Sequence, residues 1–318
     1  MVELHIGAGG WAYFKAPGMS PLKTYSRAFD FVEVNSTFYE LPGIGRAEGW
    51  RRAVPPRFRF AVRANRAITH DEPFSLSPKA ERALEGTLGV CRALRADVLH
   101  FLAPPGFAIS RKELRRLDDF FSSFDRGSAL LAFELRGRVG DGDRRGRGDA
   151  LECLGRVLRD HDVVHCVDLL KGEIPAWRSE TLYTRIFGKG EHNIYQPDDG
   201  EIEWIDRASA GYQRAYISFH GVRMYSDAAR MVEYSRSGNL PPVTCARGAE
   251  SLRAVLAEDA IFPMSKADLI IDQGWKLFDG IGGKRVRVAE VLDRLPERLY
   301  CGVADVIDAL KTGGTGFG

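Results

Sequence analysis

The stretch FDFVEVNSTFYELP, residues 29–42, begins like a buried strand, with Phe31, Val32 and Val34 supplying the apolar and β-branched side chains a pleated sheet favours. It then breaks that pattern with Glu33 and Asn35. Strand side chains alternate between two faces, so these two polar groups share one side. A carboxylate enters an apolar interior only where a partner or a function compensates it. The fold therefore turns on whether this strand has neighbours whose ends are also polar on one face.

It does. Short apolar runs recur at 4–11, 30–39, 57–64, 97–104, 130–136, 162–170, 181–188 and 214–220, which makes eight expected strands. Amphipathic stretches such as 78–95, 111–124 and 149–161 lie between them, with apolar residues near helical spacing. Strands alternating with helices imply a parallel sheet. Eight such units within about 220 residues fit a closed (β/α)8 TIM-type barrel better than an open doubly wound sheet. Only the sixth connection, around EIPAW (173–177), lacks a helical pattern.

Beyond the eighth strand, SRSGNLPP (235–242) is rich in turn formers and marks a boundary. The expected organisation is a barrel over 1–238, a small, mainly helical module over 243–311 and a disordered tail over 312–318. In the module, helices are expected near 248–258, 265–273 and 302–311, with KRVRV (284–288) as a strand or extended turn. Lys284, Arg285 and Arg287 there read as solvated surface, with a basic turn against nucleic acid as the alternative. The Arg/Gly/Asp-rich stretch 137–149 reads as a flexible loop.

Composition narrows the function classes. The 318 residues are 44% hydrophobic and 28% charged, and their formal net charge of +2 gives no support to nucleic-acid binding by bulk charge. Five widely spaced cysteines, with no C-x-x-C pair, suggest neither a zinc knuckle nor a disulfide framework and read as reduced, mostly buried thiols. Met1 runs directly into an apolar strand, and no stretch reaches the roughly 18 apolar residues of a membrane span, so a cytoplasmic protein without a membrane partner is expected.

In a barrel, inward-facing residues near strand C-termini meet at the mouth, where barrel enzymes place their chemistry. Alternation puts Glu33 and Asn35 there from the second strand, Arg63 from the third, Glu134 and Arg136 from the fifth, Asp168 from the sixth, Arg185 from the seventh and His220 from the eighth. Two readings stay open: a structural network of paired charges, and a polar site. Three acids beside three arginines suit an anionic substrate with an acid or base close by, whereas a two-metal hydrolytic site needs an excess of carboxylates and histidines. A single divalent metal on Glu33, Glu134, Asp168 or His220 is compatible with the pattern. After strand seven, GKGEHNIY (188–195) offers Lys189 between glycines where barrels bind phosphate, and after strand three, RAITH (66–70) sets Arg66 and His70 over the mouth. His5, His100, His161 and His165 read as structural.

The runs GGWAY (9–13), FVEVNSTFYELP (31–42), FRFAVRANRAITH (58–70), APP (103–105), FELR (133–136), Asp168 and YTRIFG (183–188) together resemble the YecE-like family, domain of unknown function 72. The resemblance spans residues 4 to about 236. It implies a TIM-type barrel and no specific activity. It also implies a shared polar and aromatic site at Trp11, Tyr13, Glu33, Asn35, Tyr39, His70, Glu134, Arg136 and Arg185. The chain departs from the family pattern at Arg63, where lysine is usual, at Phe187, where R-x-H-G is commoner, and at SFHG (218–221), where an asparagine pair is usual; His220 is expected to replace a lost polar group. The expected function is an enzyme acting on an anionic small molecule or phosphate ester. Glu33 or His70 would serve as acid or base, with Glu134 and Asp168 beside them. Arg63, Arg136 and Arg185 would hold the anion, and Trp11, Tyr13 and Tyr39 would stack on a ring or sugar. A nucleic-acid or metal-dependent phosphodiesterase-like protein, and a non-catalytic binding protein, are the alternatives.

Overall fold

In the computed structural model of the chain, residues 2–136 and 144–312 are described. Eight parallel strands form one sheet: β1 (Glu3–Ala8), β2 (Phe31–Val34), β3 (Arg59–Arg63), β4 (Val98–Leu102), β5 (Leu130–Glu134), β6 (Val163–Cys166), β7 (Thr181–Ile186) and β8 (Arg214–Phe219). Their order is β6-β5-β4-β3-β2-β1-β8-β7. The two edge strands meet through a parallel bridge between Val167 and Thr184, reinforced where Arg185 N–H and the Thr184 hydroxyl both donate to the Val167 carbonyl. The sheet thus closes into the expected barrel.

Helices follow the strands: α1 (Pro21–Ala28), α2 (Ile44–Arg52), α3 (Pro78–Leu94), α4 (Arg111–Ser122), α5 (Arg144–Asp160), α6 (Asp199–Ser209) and α7 (Met224–Ser237). After β6 there is only a 3-10 turn, Leu169–Lys171, as the EIPAW segment suggested. α5 begins ahead of the expected 149. Part of the loop expected at 137–149, and most of the tail expected at 312–318, lie outside the described residues.

The strands are shorter than their apolar runs. β2 stops at Val34 because Asn35–Phe38 winds into a 3-10 turn, pinned by the Thr37 hydroxyl, which donates to the Val34 and Arg63 carbonyls. Within the barrel, Phe31, Ala61, Val98, Ala132, Val164, Tyr183 and Tyr216 form a buried apolar layer. Two residues further along their strands stand Glu33, Arg63, His100, Glu134, Cys166, Arg185 and Ser218. The period of two that fills the core thus also raises a polar layer one step nearer the mouth. Gly7 is required in β1: a Cβ there would lie 1.9 Å from the Phe31 carbonyl oxygen.

The chain divides into two compact units. The first comprises Met1–Ile186, Arg207–His220 and Met224–Ala229, and the second Phe187–Asp206, Gly221–Arg223 and Arg230–Gly318. In the second, α8 (Ala249–Leu256), α9 (Lys266–Gln273), α10 (Val288–Leu292) and α11 (Val303–Thr312) enclose a core of Leu252, Leu269, Phe278, Val288, Tyr300 and Ile307. Two small antiparallel pairs join them: β9 (Met264–Ser265) with β12 (Leu299–Tyr300), and β10 (Leu277–Asp279) with β11 (Arg285–Arg287). The KRVRV arginines are engaged by the chain itself and are not simply solvated. Arg285 donates to the Leu240 and Pro241 carbonyls and pairs with Asp199, while Arg287 donates to the Gln196 and Trp275 carbonyls and lies over the Tyr195 ring.

No disulfide forms. Cys91 and Cys166 are buried, Cys153 is half-buried, and Cys245 and Cys301 are exposed, so fewer thiols are sealed than composition suggested. Among the described residues no helix is long and apolar enough to cross a membrane.

Candidate active site

Glu33 faces Arg185. Glu33 is fully buried, and its Oε2 accepts from Arg185 Nε at 3.0 Å and from the Tyr183 hydroxyl at 2.5 Å. The same guanidinium reaches the second acid: Arg185 Nη1 donates to Glu134 Oε2 at 2.5 Å. Glu134 Oε1 accepts from Arg136 Nε at 3.2 Å. One arginine from β7 therefore ties acids from β2 and β5 across the barrel, and each acid is not locked to an arginine of its own. Burial pushes both carboxyls up, but Arg185 overrides it, holding Glu33 at about 2 and Glu134 well below its ordinary value. Reciprocally, burial lowers Arg185 while Glu134 and Glu33 raise it, and the net shift is upward.

Two histidines complete this layer. His220 puts Nε2 2.9 Å from the Ser218 hydroxyl and 3.8 Å from Glu33 Oε2; burial and the Arg185 cation push its pKa down to about 3, so it is neutral. It needs Gly9, since a Cβ there would fall 2.4 Å from His220 Nδ1. Asn35, sited on the 3-10 turn and not on the strand, donates to the Gly9 carbonyl at 3.1 Å. The run GAGGW is thus fitted to His220 and Asn35. His100, fully buried, lies with Nε2 3.2 Å from Glu134 Oε2, and burial lowers its pKa.

A second cluster gathers around Phe38. The Arg63 guanidinium lies over its ring at 3.8 Å, His70 meets the ring edge at 4.8 Å, and Tyr39 packs on it at 5.0 Å. Arg63 Nε is buried with no hydrogen-bond acceptor. Burial and the nearby Arg185 lower the Arg63 pKa to about 10. His70 sits on a single π-helical turn, Ala67–Asp71, a distortion frequent at functional sites. Its Nδ1 is 2.9 Å from the Thr69 hydroxyl, and burial together with Arg63 lowers its pKa, so it is neutral at pH 7. Arg66 is held away in an ion pair with Asp71 at 3.0 Å.

The remaining candidates have other contacts. Trp11 meets Trp50 edge-on, and Tyr13 and Tyr39 are 82% and 71% exposed, enough to contact a ligand with little rearrangement. Asp168 is buried, and its Oδ1 accepts from Leu170 N–H, capping the turn after β6. Lys189 belongs to the second unit and pairs with Glu201 at 2.8 Å, and Glu201 also accepts from Tyr195.

Ligand atoms of His100, Glu134 and Cys166 lie within 4.8 Å of one another, a donor set that zinc would accept on chemistry alone. Arg185 decides against it. Its guanidinium already occupies Glu134 Oε2, and at an effective dielectric of 20 a second cation about 4 Å away costs roughly 4 kcal/mol per unit charge. The cation these acids recruit is covalently supplied, so these residues do not fit a resident divalent ion.

His100, Tyr183 and Cys166 escaped the sequence reading. Their signal was the same alternation that found Glu33 and Arg185, since Val98 and His100, Val164 and Cys166, and Tyr183 and Arg185 share faces. A histidine, tyrosine or cysteine in a strand more often packs than reacts, and that expectation hid them.

A TIM-type barrel with a charged layer beneath its mouth is the class these features define. The chain belongs to the family described as protein of unknown function DUF72, whose model matches residues 5–242. Among solved structures it is similar to a DUF72 family protein of Enterococcus faecalis V583, with 15% identity over 74% of this chain and 98% of that one and a TM-score of 0.57. A DUF72 family protein of Thermotoga maritima MSB8 is similar at 20% identity, covering 74% and 100%, with a TM-score of 0.57. No curated protein matches the chain.

Proposed function

We propose that the barrel mouth is the active site of an enzyme acting on an anionic small molecule or phosphate ester, with His70 as general base. One observation carries this reading: the Arg63 guanidinium, half-buried on Phe38, has a buried Nε without an acceptor. An arginine fork left so favours an incoming anion, which it would grip in two-pronged fashion. Burial, helped by the neighbouring cations, keeps the His70 imidazole neutral and able to accept a proton, and Thr69 engages Nδ1, so Nε2 is the atom that meets substrate.

In this reading Glu33 moves from acid or base to scaffold. A carboxyl held at about 2 is a weak base, and a fully buried one does not reach substrate. Glu33 and Glu134 instead fix Arg185, whose charge is preorganised beneath the site. Tyr39 and Trp11 would cover the organic part of the ligand.

Thermal unfolding with and without inorganic phosphate tests the grip. Arg63→Met should weaken phosphate stabilisation by about tenfold or more in apparent Kd, the value of one charged hydrogen-bonding group, with the unliganded Tm nearly unchanged. Equal phosphate responses in parent and variant would refute the anion site. His70→Gln should keep phosphate binding and abolish turnover in a screen of phosphate and carboxylate esters.

A further inference from the structure

On the outside of the barrel unit, α3 packs closely on α2, and α4 on α5, but α3 and α4 stand apart with no comparable packing between them. The opening is a groove. Cavities of about 620, 520 and 310 Å³ follow one another along it, the first two sharing Ser75 and Leu76 and the last two sharing Leu88 and Arg92. With α3 seventeen residues long, the groove runs about 25 Å, the length of a four- to five-turn helix.

Its character changes along its length. At the end near the mouth, Arg111, Lys112, Arg115 and Arg116 face it against a single acid, Asp119. Arg116 is held by Glu113 at 2.9 Å, but among the described residues no acid holds the other three cations. Arg111 and Lys112 also occupy the first turn of α4, where the helix dipole disfavours cations, so local helix stability does not explain them. The middle is not basic, with Arg82 against Glu81 and Glu85, and its lining is aliphatic: Leu88 is half-buried and Leu76 is 47% exposed. The far end turns basic again, with Arg92 and Arg95 against Asp125, while Arg126 is already paired with Asp162 at 2.8 Å.

We infer that this groove docks a short amphipathic helix of a partner protein, apolar in its central turns and acidic at both ends. Basic ends select acidic ends, and Leu76 and Leu88 receive aliphatic side chains between them, the helix-in-groove mode of recognition. A single-stranded nucleic acid fits less well. Phe74 and Phe120 are sealed in the core, so of the phenylalanines lining the groove Phe124, half-buried, is left for a base to stack on, and acids stand in the middle where a phosphate chain would run.

The test uses fluorescence anisotropy with three labelled probes on the full chain: a synthetic helix of about 18 residues with leucines in its centre and glutamates at both ends, its lysine-for-glutamate counterpart, and oligothymidylate. The acidic helix should bind at low salt, and Arg111→Glu with Arg115→Glu should weaken it about tenfold or more, as should Arg92→Glu from the other end. All three residues are exposed, so the fold should survive, and Leu76→Asp provides a second variant that attacks the apolar contact instead. Equal binding of acidic and basic helices, affinity unchanged in the variants, or tighter binding of oligothymidylate would each overturn the assignment.

Discussion

Replacing Arg185 by methionine is expected to destabilise the protein by about 3–5 kcal/mol, read as a lower urea midpoint, because it strands two buried carboxylates. Glu33 would keep only the Tyr183 hydroxyl, and Glu134 would keep Arg136 and the neighbouring His100. The chain length and shape of methionine hold the volume nearly constant, so the loss reports charge and hydrogen bonding and not a cavity. Adding Glu33→Gln and Glu134→Gln to the same variant should recover part of the stability, since no buried carboxylate is then left without its cation, although Arg63 and Arg136 lose the acids that offset them. That recovery separates an electrostatic role from simple packing. A single Arg185→Met variant within about 1 kcal/mol of the parent would mean that water or rearrangement neutralises the acids, and the pre-set charge beneath the mouth would be lost with it.

Why Arg185 has this weight also explains how far the sequence could be read. The period of two that identified β2 fixed the face of Glu33, and repetition of the same period in seven other runs gave the barrel and its closure order. Alternation specifies a face but not a partner. Nothing in FVEV or YTRI states that residues 33, 134 and 185 meet across the lumen, because that depends on the stagger of strands around the barrel. The same limit appears at strand ends. Asn35 and Asp168 sit in apolar-looking runs, yet the strands have already ended there: Asn35 opens a 3-10 turn and its side chain reaches back to the Gly9 carbonyl, while Asp168 caps the next 3-10 turn from an extended position. Lys189 illustrates a different limit. A lysine between glycines has the composition of a phosphate loop, but its charge is taken by Glu201, twelve residues along the chain in the first turn of α6. His70 was legible because its loop follows a strand end directly; its lowered pKa was not, since that comes from burial in the fold and from Arg63 packed on the same phenylalanine.

Acid should unfold this protein in two overlapping stages, the first set by buried histidines. His220 takes up a proton only at about 3, lowered by burial and Arg185, and His165 only at about 4, lowered by burial, while His100 shifts in the same direction. In the unfolded chain these imidazoles titrate near 6.5. Between about pH 6.5 and 3 the unfolded state therefore binds more protons than the folded one, and stability falls as pH falls through that window. The carboxylates act in the same sense lower down: Glu33 is ionised to about 2 in the fold but protonates near 4.5 when unfolded, so its contribution is lost between those values. Each unit of difference is worth about 1.4 kcal/mol at most, and a domain with a total of roughly 5–15 kcal/mol cannot absorb several such losses. The urea midpoint should thus be level above pH 7 and drop steeply by pH 4.5, before most carboxylates titrate. The groups facing His220 are Arg185, Glu33, Glu134 and His100, and only the arginine both opposes its protonation and keeps its charge throughout this range. His220→Gln removes one of the protons taken up on unfolding, so it should flatten the slope between pH 6.5 and 4.5 even if it lowers stability at pH 7. A midpoint that stays constant from pH 7 to 4.5 would show that these imidazoles protonate in place, and that the layer under the mouth is wet and not sealed.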